Sequence, residues 1–386
     1  MSLGMIQMKI LMFFSGRVEH LPPLMTAAAT MADLGARVTV LASGAAAPSA
    51  AYLARHGVVL RLATSEAAQP VTRPGRLWLR ARVGLELLRA KAACRPDCLW
   101  FHGPYATEYA LLPGVCRGVR LVAHAHEHFT QPFLWQCQRR VVRRAQVVIC
   151  PEINRLWMLK LAVGGAARWV CIPNRPAADL LPQPDEQGAA TRAAFAAAGG
   201  HPDCRKFLIY QGAFMKDRGL AAAITAFRAV ADPQAGFILM GDGLAGNHQA
   251  ELKALAVGDS RVVFLPRRPF PLHLQVTAGC HAGVLLYAPD SLNNVYCAPN
   301  KLYEYAAMEL GLVLPDFPGV AAINQEYDLG RLCDPLNVPA ITRAMTDVLA
   351  LPRADWRTRT RRFLANAPSP EAGYRDVLAA LAGTPG

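Results

Sequence analysis

The sequence predicts an α/β protein of two Rossmann-like domains, each a parallel sheet flanked by helices. Three observations carry this. A chain of 386 residues exceeds one ordinary core and fits two domains of roughly 150–200 residues. Short apolar runs alternate with longer amphipathic stretches, the pattern of doubly wound sheets. The alternation stops at a Pro-containing break and then restarts.

In chain order, Lys9–Phe14 reads as the first strand, followed by a helix over about Leu21–Leu34 and a strand at Val38–Leu41. Further strands are expected at Val58–Leu62, Cys98–Phe101, Val119–Ala123, Val147–Cys150 and Trp169–Ile172. Helices at Leu77–Ala92, Phe133–Arg144 and Ile153–Leu161 separate them. Pro173-Asn174-Arg175-Pro176 then breaks the pattern and places a domain boundary near Pro173. Strands resume at Phe207–Tyr210, Phe237–Met240, Val262–Leu265, Val284–Tyr287 and Leu312–Leu314. The end of the chain reads as consecutive helices. The expected division is 1–173, 174–355 and a helical segment 356–386 packing back toward the first domain.

Hydrophobic residues at 53% and charged residues at 18% describe a globular chain. A net charge of +13 favours phosphate-bearing or anionic partners without choosing among them. The ten cysteines are scattered, several inside apolar strands such as Cys150 and Cys171. Only Cys94 and Cys98 lie close together, so buried, reduced thiols of a cytoplasmic enzyme are expected. No run reaches the ~18–20 apolar residues that span a bilayer.

The segment Leu292-Asn293-Asn294-Val295-Tyr296-Cys297-Ala298-Pro299-Asn300-Lys301-Leu302-Tyr303-Glu304-Tyr305 joins a strand to a helix opening at about Pro299. A free helix N-terminus with an adjacent Lys can hold a phosphate, and Glu304 one turn inside can accept from ribose hydroxyls. Ligands of open α/β sheets bind beyond the carboxyl ends of strands, where this loop lies. Pro299 to Tyr305, continued by Ala306-Ala307-Met308-Glu309-Leu310-Gly311, resembles the donor-site segment of glycosyltransferase family 4. The resemblance implies the GT-B fold, with two domains facing a cleft, and transfer of a sugar with retention from a nucleotide-sugar donor. It implies that Asn300, Lys301, Leu302 and Glu304 line the donor site, Glu304 taking the ribose. Tyr296 stands where the family usually has a first glutamate, and Asn294 and Tyr296 are the expected donor-sugar contacts.

Tyr210-Gln211-Gly212 with Lys216-Asp217-Arg218-Gly219-Leu220 is similar to the first strand and loop of the family's nucleotide domain. The resemblance implies close backbone approach at Gly212 and phosphate binding by Arg218. Ala213 replaces a basic residue common in the family, which shifts leaving-group stabilisation onto Lys301 and Arg218. Arg267, after the strand ending at Leu265, joins the donor-binding set, as does Gly16 in the turn after the first strand.

His124, His126 and His128 place three histidines within five residues. On an extended chain they would share a side at ~6–7 Å per pair; metal binding would need the segment to stay extended, and no further Asp/His cluster is evident. His126-Glu127 is similar to the family's His-Glu, whose His faces the donor sugar, so the resemblance makes His126 catalytic. No Asp-x-Asp motif offers a divalent-metal platform for a sugar diphosphate, so neither metal nor cofactor is expected. Gly241-Asp242-Gly243-Leu244-Ala245-Gly246 fits a Gly-x-Gly-x-x-Gly turn. The acidic residue expected after the next strand is replaced by Pro266-Arg267-Arg268, so an NAD(P)-dependent oxidoreductase is the alternative. Tyr296 and Ala213 leave open a non-catalytic nucleotide-sugar-binding protein.

The expected partners are a UDP- or GDP-linked sugar and a saccharide or lipid-linked acceptor, not nucleic acid. Arg73, Arg76, Arg80, Arg82, Arg89, Lys91 and Arg95 alternate with Leu77, Trp78, Leu79, Val83, Leu85, Leu87 and Leu88. A basic amphipathic helix of this kind can lie on an anionic membrane surface. The protein is therefore expected in the cytoplasm, peripheral to the inner membrane face.

Overall fold

The computed structural model describes residues 8–64, 73–127, 131–243, 248–297 and 299–383. The chain divides into two compact units, Met1–Asn174 with Pro368–Gly386, and Arg175–Ala367. The first holds strands β1 (Lys9–Phe13), β2 (Arg37–Ala42), β3 (Val59–Leu62), β4 (Cys98–His102), β5 (Arg120–His124), β6 (Val147–Cys150) and β7 (Arg168–Cys171). The second holds β8 (Lys206–Gln211), β9 (Ala235–Met240), β10 (Val262–Leu265), β11 (Ala282–Val284), β12 (Gly311–Pro315) and β13 (Gly330–Cys333).

Every strand pair is parallel. The first sheet runs β3-β2-β1-β4-β5-β6-β7 and the second β10-β9-β8-β11-β12-β13. Parallel strands covered by helices on both faces are apolar throughout, and β4 and β9 are buried at every position. The chain reverses its winding between β1 and β4 in the first unit and between β8 and β11 in the second. Crevices for ligands form at these switch points, at the carboxyl ends of the strands.

Helix packing fixes what stands at those ends. In the second unit, helix Asn300–Ala307 lies so tightly on β11 that a Cβ on Gly283 would meet the Tyr305 ring at 2.2 Å. The Tyr305 hydroxyl lies 3.3 Å from both Gln211 N and Ile209 O of β8. One aromatic side chain thus ties the helix to both switch-point strands. In the first unit, helix Pro370–Gly383 approaches the end of β7, where a Cβ on Gly373 would meet Ile172 at 2.7 Å. Its Tyr374 is fully buried and stands 6.0 Å, ring to ring, from Trp100 of β4.

Several elements differ from the sequence expectation. β11 covers Ala282–Val284, earlier than Val284–Tyr287, because Leu285 to Tyr287 stay buried while leaving the ladder toward the site. β13 and helix Ala47–Arg55 were not anticipated. Helix Asn300–Ala307 starts one residue later than expected, with Pro299 as its extended cap. The terminal helices divide: Arg353–Asn366 stays with the second unit, where Arg357 and Arg361 pair with buried Glu309 at 2.9 and 2.6 Å. Pro370–Gly383 belongs to the first unit.

Candidate functional site

Two polar clusters occupy the two sets of strand ends. In the second unit, β8 delivers Gln211 and Gly212, and the helix after β11 delivers Lys301 and Glu304. Glu304 is a buried carboxylate whose Oε2 accepts from the Gln211 side-chain amide, with His273 Nε2 3.5 Å away. Thr277 Oγ1 donates to Gln211 Oε1 at 2.5 Å, so Gln211 is held in the orientation that offers its NH2 to Glu304. A buried polar group needs such hydrogen-bond partners.

Lys301 is the cation of this cluster. Its ammonium lies 4.6 Å from the centre of the Tyr210 ring and 5.7 Å from that of Tyr287. Burial, reinforced by the nearby Arg218 charge, lowers its pKa to about 7. Gly212 faces it with φ +134°, where a Cβ would stand 3.2 Å from Lys301 Cε. Only glycine adopts that backbone readily and leaves the space open. Arg218 stacks its guanidinium 4.6 Å above Tyr287 and lies 3.6 Å from Asp217. The 213–219 loop is pinned to the outlet of β11 by Ala288 N donating to Asp217 O at 2.8 Å.

The remaining expected donor residues are less central. Arg267 pairs with Asp242 at 3.5 Å. Asn300 opens the helix. Leu302 is buried among Ile209, Met240 and Leu265 and therefore serves packing. Asn294 is buried, and its amide donates to Asp217 at 3.1 Å and Asp290 at 2.8 Å, so its donor group braces the loop. Tyr296 caps the short helix Leu292–Val295. Gly241 has a structural reason of its own: a Cβ there would overlap Gly212 O at 1.8 Å. Residues 244–246 of that turn lie outside the described residues.

In the first unit, β4 and β5 end in register, His102 opposite His124. The expectation of an extended His124–His126 spacing fails. β5 ends at His124, and the chain folds so that the two rings stack with centroids 3.9 Å apart. His102 joins them, with Nδ1 3.3 Å from His126 Nε2, and stacks on Trp100 at 5.5 Å. His128 lies outside the described residues. Arg155 Nη1 donates to His126 O at 2.5 Å and Gln138 Nε2 to Glu127 O at 3.0 Å, which fixes this loop. Glu152 caps the helix bearing Arg155 and so sets its position. Burial lowers the pKa of His126 to about 3 and holds His102 and His124 well below the usual histidine range. All three rings are neutral at physiological pH. Gly16 turns the chain after β1, its carbonyl accepting from Ser43 N at 3.0 Å.

Sequence reasoning missed His102, His273 and Thr277. His102 carried one visible signal, a polar residue closing an otherwise apolar strand.

Residues 24–174 match glycosyltransferase family 4. No curated protein matches the chain by sequence. Solved structures resemble it over nearly its whole length. Anabaena HepE, in complex with UDP and glucose, is 18% identical with a TM-score of 0.72, over 98% of this chain and 100% of its own. Sucrose-phosphate synthase from Thermosynechococcus elongatus is 14% identical at 0.71, over 97% and 100%. WaaG, a glycosyltransferase involved in lipopolysaccharide biosynthesis, is 13% identical at 0.66, over 98% and 100%. The fold is that of the GT-B glycosyltransferases.

Proposed function

We propose that the protein transfers a sugar from a nucleotide-sugar donor, UDP-linked in the first instance, to an acceptor hydroxyl. The observation that carries this reading is the second-unit cluster. Buried Glu304, the Lys301 ammonium and Arg218 surround the open backbone at Gly212, at the switch point of the sheet. The UDP and glucose in the complex of HepE support the donor class.

Each group has a distinct task. Glu304 accepts from the ribose hydroxyls while Gln211 and His273 hold its other oxygen. Lys301, Arg218 and the N-terminus of helix Asn300–Ala307 take the diphosphate, whose negative charge grows as the bond to the sugar breaks. The diphosphate itself needs no bridging metal in this arrangement. The acceptor oxygen bonds to the anomeric carbon on the face the diphosphate leaves, so configuration is retained. The departing phosphate oxygen takes the acceptor proton, and His126 serves this transfer step. Titration calorimetry with UDP and with UDP- and GDP-sugars tests the reading, repeated with a chelator present. Submillimolar UDP affinity, unchanged by the chelator, supports it, and absence of any nucleotide-diphosphate binding removes it.

The acceptor belongs to a glycan or a lipid-linked saccharide at the cytoplasmic face of a membrane. Supporting this, Leu77 and Trp78 of helix Arg73–Cys94 are 70% and 61% exposed. Arg82 stacks on Trp78 at 5.4 Å. Among the described residues no helix is long and apolar enough to cross a membrane. Each basic residue near anionic lipid contributes about 1 kcal/mol. Flotation with anionic vesicles at low salt, lost at high salt or in Trp78→Ala, is the expected result; no binding to anionic vesicles redirects the reading to a soluble acceptor.

A further inference from the structure

The histidine cluster of the first unit has a property that sugar transfer does not explain. His102, His124 and His126 are 0%, 2% and 6% exposed. Among their six ring nitrogens, His102 Nε2, both nitrogens of His124 and His126 Nδ1 have no hydrogen-bond partner among the described residues. A buried polar atom left unpaired costs about 1–3 kcal/mol, so the wholly unpaired His124 ring beside the His102–His126 contact calls for a ligand. One nitrogen from each ring lies within 4.8 Å of the others.

We propose that His102, His124 and His126 form a three-imidazole site for a divalent first-row transition ion, zinc being the best chemical match. The donor set decides the class of ion. Neutral imidazole suits zinc, copper, nickel and iron, whereas magnesium and calcium demand oxygen ligands.

Geometry agrees at the pair that is already set. Zinc–nitrogen bonds of about 2.0–2.1 Å at tetrahedral angles place two ligand nitrogens about 3.3–3.4 Å apart. His102 Nδ1 and His126 Nε2 stand 3.3 Å apart. That distance is long for a hydrogen bond and right for two ligands of one ion. Facing strand ends in register bring in His102 and His124, and Arg155 holds the His126 carbonyl, so the backbone under each ligand is fixed. Three protein nitrogens leave a fourth position for water or a hydroxyl.

This inference goes beyond the donor-site reading and does not rest on it. The test uses the full chain, stripped by chelator and freed of it, titrated with cobalt(II) and without any nucleotide sugar. The expected result is one cobalt per chain, with the visible absorption of a low-coordinate ion, displaced by zinc. His102→Gln, His124→Gln and His126→Gln should each lower affinity by about 100-fold or more, the upper end of what losing a supporting group costs. His102→Cys should retain the ion and add a thiolate charge-transfer band, which covers the case of a Gln variant that fails to fold. UDP binding by the second unit checks that each variant is folded. No saturable cobalt binding, or binding indifferent to all these substitutions, overturns the proposal. Failure of UDP to bind would leave it standing.

Discussion

The two switch-point clusters solve opposite problems. In the second unit the polar groups are partnered within the protein: Thr277 orients Gln211, Gln211 and His273 flank Glu304, and aromatic faces cover Lys301. In the first unit three buried imidazoles share one nitrogen–nitrogen contact and, among the described residues, leave four ring nitrogens unpaired. The difference teaches which site is prepared and which is waiting. A partnered cluster reorganises little on binding, so its affinity reflects contacts made to the ligand. An unpartnered one gains most of its stabilisation when a ligand arrives. Substitutions should therefore act on different quantities in the two units.

The largest effect is expected at His126. His126→Ala should lower the rate of transfer about 10²-fold, the order of loss from a misplaced reacting group, while UDP affinity stays within a few-fold. The reason is that Gln211, Lys301, Glu304 and Arg218 all belong to the other unit. Steady-state kinetics with UDP calorimetry separate the two quantities, and a variant with parental turnover breaks the assignment.

Next comes Glu304. Glu304→Ala should weaken UDP binding about 10–100-fold, since hydrogen bonds to a charged group contribute about 1.5–3 kcal/mol. Glu304→Gln should lose less. The contrast sharpens with a deoxynucleotide: if Glu304 holds ribose hydroxyls, the Ala variant no longer distinguishes UDP from its 2′-deoxy form. Continued discrimination moves the ribose contact elsewhere.

A smaller, pH-dependent effect is expected at Lys301, whose pKa near 7 in the free protein is lowered by burial. The protonated form attracts the diphosphate, so binding raises the pKa. Affinity is then full below about 7 and falls as pH rises, by at most tenfold per unit. Lys301→Arg stays charged and should flatten this limb; an unchanged profile in that variant refutes the assignment.

How much of this was legible depends on the range of the contacts. Runs such as Lys9–Phe13 and Phe237–Met240 announce buried strands because burial on both faces demands continuous apolarity. β13 escaped because Gly-Arg-Leu-Cys at a sheet edge has no such run. Gly212, Lys301 and Glu304 were readable because each sits in a short local segment. The Thr277–Gln211–Glu304 chain joins residues 66 and 93 positions apart, and His102 meets His126 across 24. Strand pairing creates those neighbours, and a local pattern does not contain it. The short distance from His124 to His126 was misjudged because the strand ends at His124, where the two-residue period no longer applies.

The smallest effect should come from Arg218, and it tests whether the second cluster behaves as a coupled unit. Arg218 is partly exposed and shared between Tyr287 and Asp217, so screening reduces its pull on a phosphate. Its charge also opposes that of Lys301, whose pKa it helps to lower. At pH 6 Lys301 is already charged, and Arg218→Ala removes one cation outright. At pH 8 the same substitution lets Lys301 regain its proton more readily, which offsets part of the loss. Arg218→Ala should therefore weaken UDP binding a few-fold at pH 6, corresponding to about 1 kcal/mol, and less at pH 8. Combining it with Lys301→Arg removes the titrating partner, so the cost should become equal at the two values. A cost independent of pH in the Lys301 background would show that the cations act separately, because groups that do not interact give additive effects.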